Sequence, residues 1–249
     1  GSNTDAFFLA LSTITMFSLV VTSTIGTTLI PVLGEVEAKE GKKGKQEHLN
    51  NFVSIIAVVS MILVVVAFIF APLLLRILAS GFEDEQFQLV VTLTRIGVPT
   101  IFFSALIGVF RGYLQSEGFF KETAIANLLL NVVMIGFLLT LSTKFDVRGL
   151  MFAYVVGQAA PLVLQLFTLK SNNYEYSYLF DLQDVYMKRV LKMIPPVLVG
   201  VAISDINSLV NNSLASGLAP GSISALDYAR KLDGVTIGVF VNSIMTVLF

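Results

Sequence analysis

The sequence predicts an all-α fold, a polytopic bundle of transmembrane helices. Composition is the first reason: of 249 residues, 55% are apolar and 13% charged, and the mean hydropathy is +0.82. A soluble domain carries about 25% charged residues and needs polar groups to cover its surface, so a soluble enzyme is excluded at the outset. The second reason is the length of the apolar runs, seven of which reach the roughly 20 residues a helix needs to cross a bilayer core. The third is that most charges fall between those runs rather than within them.

The first run, 6–33, is rich in hydroxyls: Thr13, Thr15, Ser18, Thr22, Ser23, Thr24, Thr27 and Thr28. Such groups either bond back to their own helix and its neighbours or line a water-filled cavity, and the sequence leaves both open. The second run, 51–78, carries no charge between Phe52 and Leu75. The third, 89–110, holds Arg95 near its start, where a long cationic side chain can snorkel to the outer interface. The fourth, 123–143, puts Asn127 and Asn131 four residues apart on one helical face, a spacing suited to interhelical hydrogen bonds. The fifth is 148–169. The sixth, 191–217, carries Asp205, Asn207, Asn211 and Asn212, which are too costly to face lipid and must face the bundle or a wet cavity. The seventh, 223–249, opens on a charged turn with Asp227, Arg230 and Lys231. Asp227 precedes the two cations by three and four residues, so the turn either neutralises itself or presents a cationic patch to an anionic headgroup.

The segments between runs set the orientation. Ten basic residues lie on one side, in 34–50, 111–122 and 170–192, against three (Arg76, Lys144 and Arg148) on the other. The Lys-rich side is therefore expected to be cytoplasmic. Segment 34–50 reads as a solvated charged loop. Segment 171–189, with four tyrosines among charges, reads as an interfacial helix. Gly1 to Asp5 lack the basic start of a signal peptide, and the chain stops at Phe249 inside an apolar run, so a longer polypeptide is expected.

Much chemistry is excluded. There is no Cys and a single His, His48, so disulfides, thiolate metal sites and multi-His cages are absent. The net charge of −1 offers no field for nucleic acid. A membrane enzyme would need a group such as a carboxylate pair, for which Asp205 and Asp227 are the candidates, and nothing in the sequence fixes their geometry.

Several stretches resemble one family. They are Thr4-Asp5-Ala6-Phe7-Phe8, Ile30-Pro31-Val32-Leu33, Gly81-Phe82, the run from Ala124 to Asn131, and above all Pro196 to Leu232 with its Leu214-Ala215-Ser216 and Gly221-Ser222-Ile223-Ser224-Ala225-Leu226 pattern. The chain resembles the MurJ (MviN) lipid II flippases of the MOP exporter superfamily. The resemblance implies two helical lobes around a central cavity, and a chain that starts after the family's first helix and ends within its eighth. On that footing 1–170 is the N-terminal lobe with five helices, 171–190 a linker, and 191–249 the start of the C-terminal lobe. The implied partners are an undecaprenyl-diphosphate-linked peptidoglycan precursor, membrane lipids, a coupling cation and the rest of the same polypeptide. Alternating access in the cytoplasmic membrane needs no cofactor, no metal and no catalytic residue.

The implied substrate contacts are Asp5, which matches the family acid; Ser18, in the span where relatives carry cavity arginines; Ser224 and Lys231, at its polar and cationic positions; and Asp227 and Arg230 beside them. Asp205, Asn207, Asn211 and Arg95 complete the expected polar cavity. With no Arg in the first span, a flippase of another lipid-linked oligosaccharide, or a cation-coupled drug exporter, is the alternative.

Overall fold

The computed structural model describes residues 2–140 and 145–236; within these, the side chains of 122–124, 126–127, 198, 201–208 and 235–236 lie outside the described residues. Among the described residues all regular structure is helical: α1 (Ser2–Leu78), α2 (Asp84–Gly97), α3 (Thr100–Ser116), α4 (Phe120–Thr140), α5 (Val147–Ser171), α6 (Val185–Ala215) and α7 (Ser222–Thr236). α1, the α2–α3 pair and α5 are each long and apolar enough to cross a membrane. The chain is a multi-pass membrane protein.

α1 is a hairpin. Its helical geometry breaks once, at Gly41 (φ 73°, ψ −174°), a backbone state open to glycine. In an unbroken helix, residues eight apart lie about 12 Å apart along the axis. Here Lys45 reaches Glu37 at 2.7 Å and His48 reaches Glu40 at 3.1 Å, so the arms run antiparallel. Each arm approaches 40 residues, about 57 Å at 1.5 Å per residue, against a hydrocarbon core of roughly 30 Å. The surplus projects beyond the core. This corrects the expectation of a loop at 34–50: Glu and Lys are good helix formers, Glu35 and Lys39 pair one turn apart at 2.8 Å, and the turn needs only Gly41.

A second correction concerns the third run, which is broken where Pro99 removes a backbone donor and crowds the preceding turn. α2 ends at Gly97 and α3 continues from Thr100 to Ser116, further than expected. A third concerns 172–184, which is extended and turn-like rather than an interfacial helix. Its polar side chains dock onto the second arm of α1. Tyr174 donates to Asn50 Oδ1 at 2.6 Å, Tyr176 lies 2.7 Å from Ser54 Oγ, and Asn51 exchanges two bonds with the Asp181 backbone at 2.7 and 2.9 Å. Tyrosines suited to an interface are equally suited to reach buried amides. Burial pushes the Tyr174 hydroxyl well above the ordinary phenol range, which keeps it a donor.

The first arm of α1 contributes residues to two apolar clusters, while Phe17, Leu19 and Ile30 along it are exposed. One, beside the hairpin turn, joins Ile25, Leu29 and Leu33 to Phe52, Val109, Leu114, Leu169 and Val190. The other, at the far end, joins Leu9 and Ile14 to Leu75, Leu93, Met151 and Ile223. The second arm turns Val58 to Ile77 largely outward, and α4 presents Leu128, Val132, Ile135 and Leu139. In a membrane these faces meet acyl chains.

Candidate functional site

Between Ile14 and Ile25 the first arm gives no buried member to either apolar cluster, and only Val21 packs against one of them. Here lie Thr15, Ser18, Thr22 and Ser23, and on the face that carries these hydroxyls two cavities open. One, of about 200 Å3, is lined by Thr15, Ser18, Thr22, Ser23, Ser104, Arg111 and Gln158. The other, of about 280 Å3, lies toward α7 and is lined by Ser12, Thr15, Met16, Asp227, Arg230 and Lys231. Thr15 and Leu19 belong to both. The hydroxyls thus divide by position. Those near or within the apolar clusters bond back to their own helix, Thr13 to Leu9 O and Thr28 to Thr24 O, each at 2.9 Å. Those in the gap turn outward: Thr15 lies 3.2 Å from the Tyr154 hydroxyl, Ser18 lies 3.3 Å from Thr100 Oγ1, and Thr22 donates to Ser104 O at 2.9 Å. These bonds, to the helix itself and to its neighbours, follow the first sequence reading, and in the gap Thr15, Ser18 and Thr22 also line cavities.

The wall formed by α7 is held by Asp5. This carboxylate is 3% exposed, accepts from Ser224 N at 2.9 Å and Ser224 Oγ at 2.5 Å, and also accepts from Gly221 N. Gly221 (φ 101°) turns the chain into α7, and a carboxylate at a helix N-terminus is favoured by the free amides and the dipole. Asp5 and Ser224 are thus spent on each other, tying the start of α1 to the start of α7. The sequence expectation had both facing substrate.

One turn further, Lys231 pairs with Asp227 at 2.8 Å and lies 4.8 Å above the Phe8 ring. Arg230 donates to Asn212 Oδ1 at 2.9 Å. With Asp227 balancing one cation, the α7 cavity keeps one net positive charge, and Arg230 with Lys231 can meet phosphate oxygens by a fork and a point charge. The self-neutralising turn and the cationic wall are therefore the same residues.

The remaining expected residues sit apart. Arg95 donates to Phe68 O at 3.3 Å and stacks 5.0 Å over the Phe68 ring, on the second arm of α1 rather than in either cavity. Asn211 is exposed. The side chains of Asp205, Asn207 and Asn127, and the span beyond Thr236, lie outside the described residues.

Sequence reasoning missed Arg111, Tyr154 and Gln158. Arg111 closes an apolar run and so reads as the start of a loop, but α3 continues beyond it to Ser116. Tyr154 and Gln158 lie one turn apart on α5 and are bonded, Gln158 Nε2 donating to the hydroxyl at 2.9 Å. That i, i+4 spacing was the available signal. Also missed was the charged cluster at the hairpin tip. Lys45, 1% exposed, bridges Glu37 and Glu117 at 2.7 and 2.5 Å, and His48 faces Asp184 at 2.7 Å.

Comparison with known proteins agrees with this architecture. The family model described as Lipid II flippase MurJ matches residues 1–249. The probable lipid II flippase MurJ of Buchnera aphidicola subsp. Acyrthosiphon pisum is 26% identical over 251 residues, covering 99% of this chain and 49% of that protein. The lipid II flippase MurJ of Burkholderia cenocepacia is 28% identical over 238 residues, covering 92% and 46%. The solved structure of lipid II flippase MurJ in its inward closed conformation superposes with a TM-score of 0.83 at 23% identity, over 99% of this chain and 51% of that one. The chain spans about half the length of the curated relatives it matches. On these grounds the chain belongs to the lipid II flippase MurJ family.

Proposed function

We propose that this chain is the N-terminal part of a lipid II flippase of the cytoplasmic membrane, which moves an undecaprenyl-diphosphate-linked peptidoglycan precursor outward by alternating access. The observation that carries the reading is the cavity where Asp227, Arg230 and Lys231 face Thr15 across the gap between the two apolar clusters. A diphosphate crossing a bilayer needs cations and donors at mid-depth, and the lipid tail can remain among acyl chains. The Lys-rich hairpin tip faces the cytoplasm on this reading. Residues 1–170 act as one lobe, 171–190 as the linker and 191–249 as the start of the other lobe, rocking about the cavity between them. The reaction is transport without covalent chemistry, and a coupling cation is its expected energy source.

Asp5 and Ser224 act as a pin that positions the α7 wall, and Ser18 as a cavity hydroxyl. A flippase for another lipid-linked oligosaccharide is the second reading, favoured by one feature: the first arm carries hydroxyls and no arginine. Depletion of the gene followed by identification of the lipid that accumulates on the cytoplasmic leaflet separates the two. Accumulated lipid II supports the proposal; another accumulated precursor, with lipid II unchanged, replaces it.

A further inference from the structure

We propose that the hydroxyl-lined cavity beside Arg111 is a second anion station, which holds the diphosphate group in the cytoplasmic half of the bundle before Arg230 and Lys231 engage it. This rests on the flippase reading and adds to it a site on a different helix. Arg111 enters a cavity with Ser18, Thr22, Ser23, Ser104 and Gln158. A guanidinium forks onto two phosphate oxygens, and hydroxyls and a carboxamide are the neutral groups that complete such a site. An arginine on an apolar spanning helix is costly and marks a functional position.

The depth of the two sites differs. A Cβ on Gly108 would lie 3.0 Å from Thr22 O, and one on Gly112 3.8 Å from Gly26 O, so α3 at Arg111 runs level with residues 22–26 of the first arm. Lys231 lies over Phe8. From Phe8 to Thr22 is about 21 Å of helix at 1.5 Å per residue, in a core of roughly 30 Å. Arg111 therefore lies on the hairpin-turn side of the shared residues Thr15 and Leu19, and Lys231 on the far side. Between them stands Thr15, which lines both cavities and meets the Tyr154–Gln158 pair. A headgroup passing from one site to the other finds a donor along the way.

The test uses the full-length protein in vesicles, with Ser23→Cys as its sole cysteine and a charged thiol reagent as the reporter. Lipid II and inorganic pyrophosphate are the probes. Both slow the labelling if the diphosphate alone is recognised; only lipid II does so if the linked headgroup is required. Either result supports the station, provided Arg111→Gln raises the half-protecting concentration by about tenfold or more, the scale of a lost charge-assisted hydrogen bond. Arg111→Lys should restore part of the protection and Lys231→Ala should leave it intact. Equal protection in the parent and Arg111→Gln overturns the station. So does an unprotected parent that still flips lipid II, in which case the flippase reading stands. A protected parent that flips nothing keeps the station and removes the flippase reading; neither protection nor flipping removes both.

Discussion

The Asp5 carboxylate, on the first turn of α1, accepts from both the amide and the hydroxyl of Ser224 on α7, 219 residues away in the chain. One buried acid thus fixes the helix that carries Arg230 and Lys231 to the helix that carries the cavity hydroxyls. Asp5→Ala strands the Ser224 and Gly221 amides. The expected cost is about 1.5–3 kcal/mol, the worth of hydrogen bonds to a charged acceptor. Thermal unfolding in detergent should register it, with Asp5→Asn intermediate; an unchanged midpoint for both variants contradicts the pin.

Gly81 tests the junction between the far end of the hairpin and the end of α6. A Cβ there would lie 2.4 Å from Gly217 Cα, whereas one on Gly34 meets nothing within 4 Å. Gly81→Ala should destabilise by about 1–3 kcal/mol through overpacking. Gly34→Ala, within a helix, should be neutral or stabilising by up to about 1 kcal/mol. Comparison of the two melting temperatures checks both.

Lys45 tests the hairpin tip. It bridges Glu37 and Glu117, linking both arms of α1 to the end of α3. Breaking a fully buried pair costs about 3–5 kcal/mol; with Glu37 34% exposed, solvent screening reduces this to about 1–3 kcal/mol. Lys45→Ala should therefore lower the melting temperature and speed amide exchange at residues 34–50, while exchange around Leu9 and Leu93 stays slow.

Tyr174 tests the segment between α5 and α6. Tyr174→Phe leaves Asn50 Oδ1 without the donor that reaches it at 2.6 Å, at a cost of about 1–2 kcal/mol. Faster exchange or proteolysis confined to 172–184 is the expected signature.

Much of this architecture was legible in the sequence, because apolar runs of membrane length have no other outcome in lipid. The charged turn on α7 was legible for the same reason, since Arg230 and Lys231 stand out against apolar neighbours. The hairpin tip was not, because charged residues that favour helix also favour solvent, and only long-range partners such as Lys45 with Glu117 decide between them. Segment 172–184 failed similarly: tyrosines mark an interface until Asn50 and Asn51 offer them buried partners. Arg111 was hidden by its place at the end of an apolar run, and Asp5 was assigned to substrate because its partner, Ser224, lies on a helix that only the fold brings near.

The central claim is that the cationic wall of α7 grips the diphosphate of a carried lipid. Its most direct test is lipid II translocation by the full-length protein in vesicles, parent against Lys231→Ala, with folding monitored by melting temperature. The account predicts loss of translocation in a variant that melts like the parent. Full translocation by folded Lys231→Ala would contradict it.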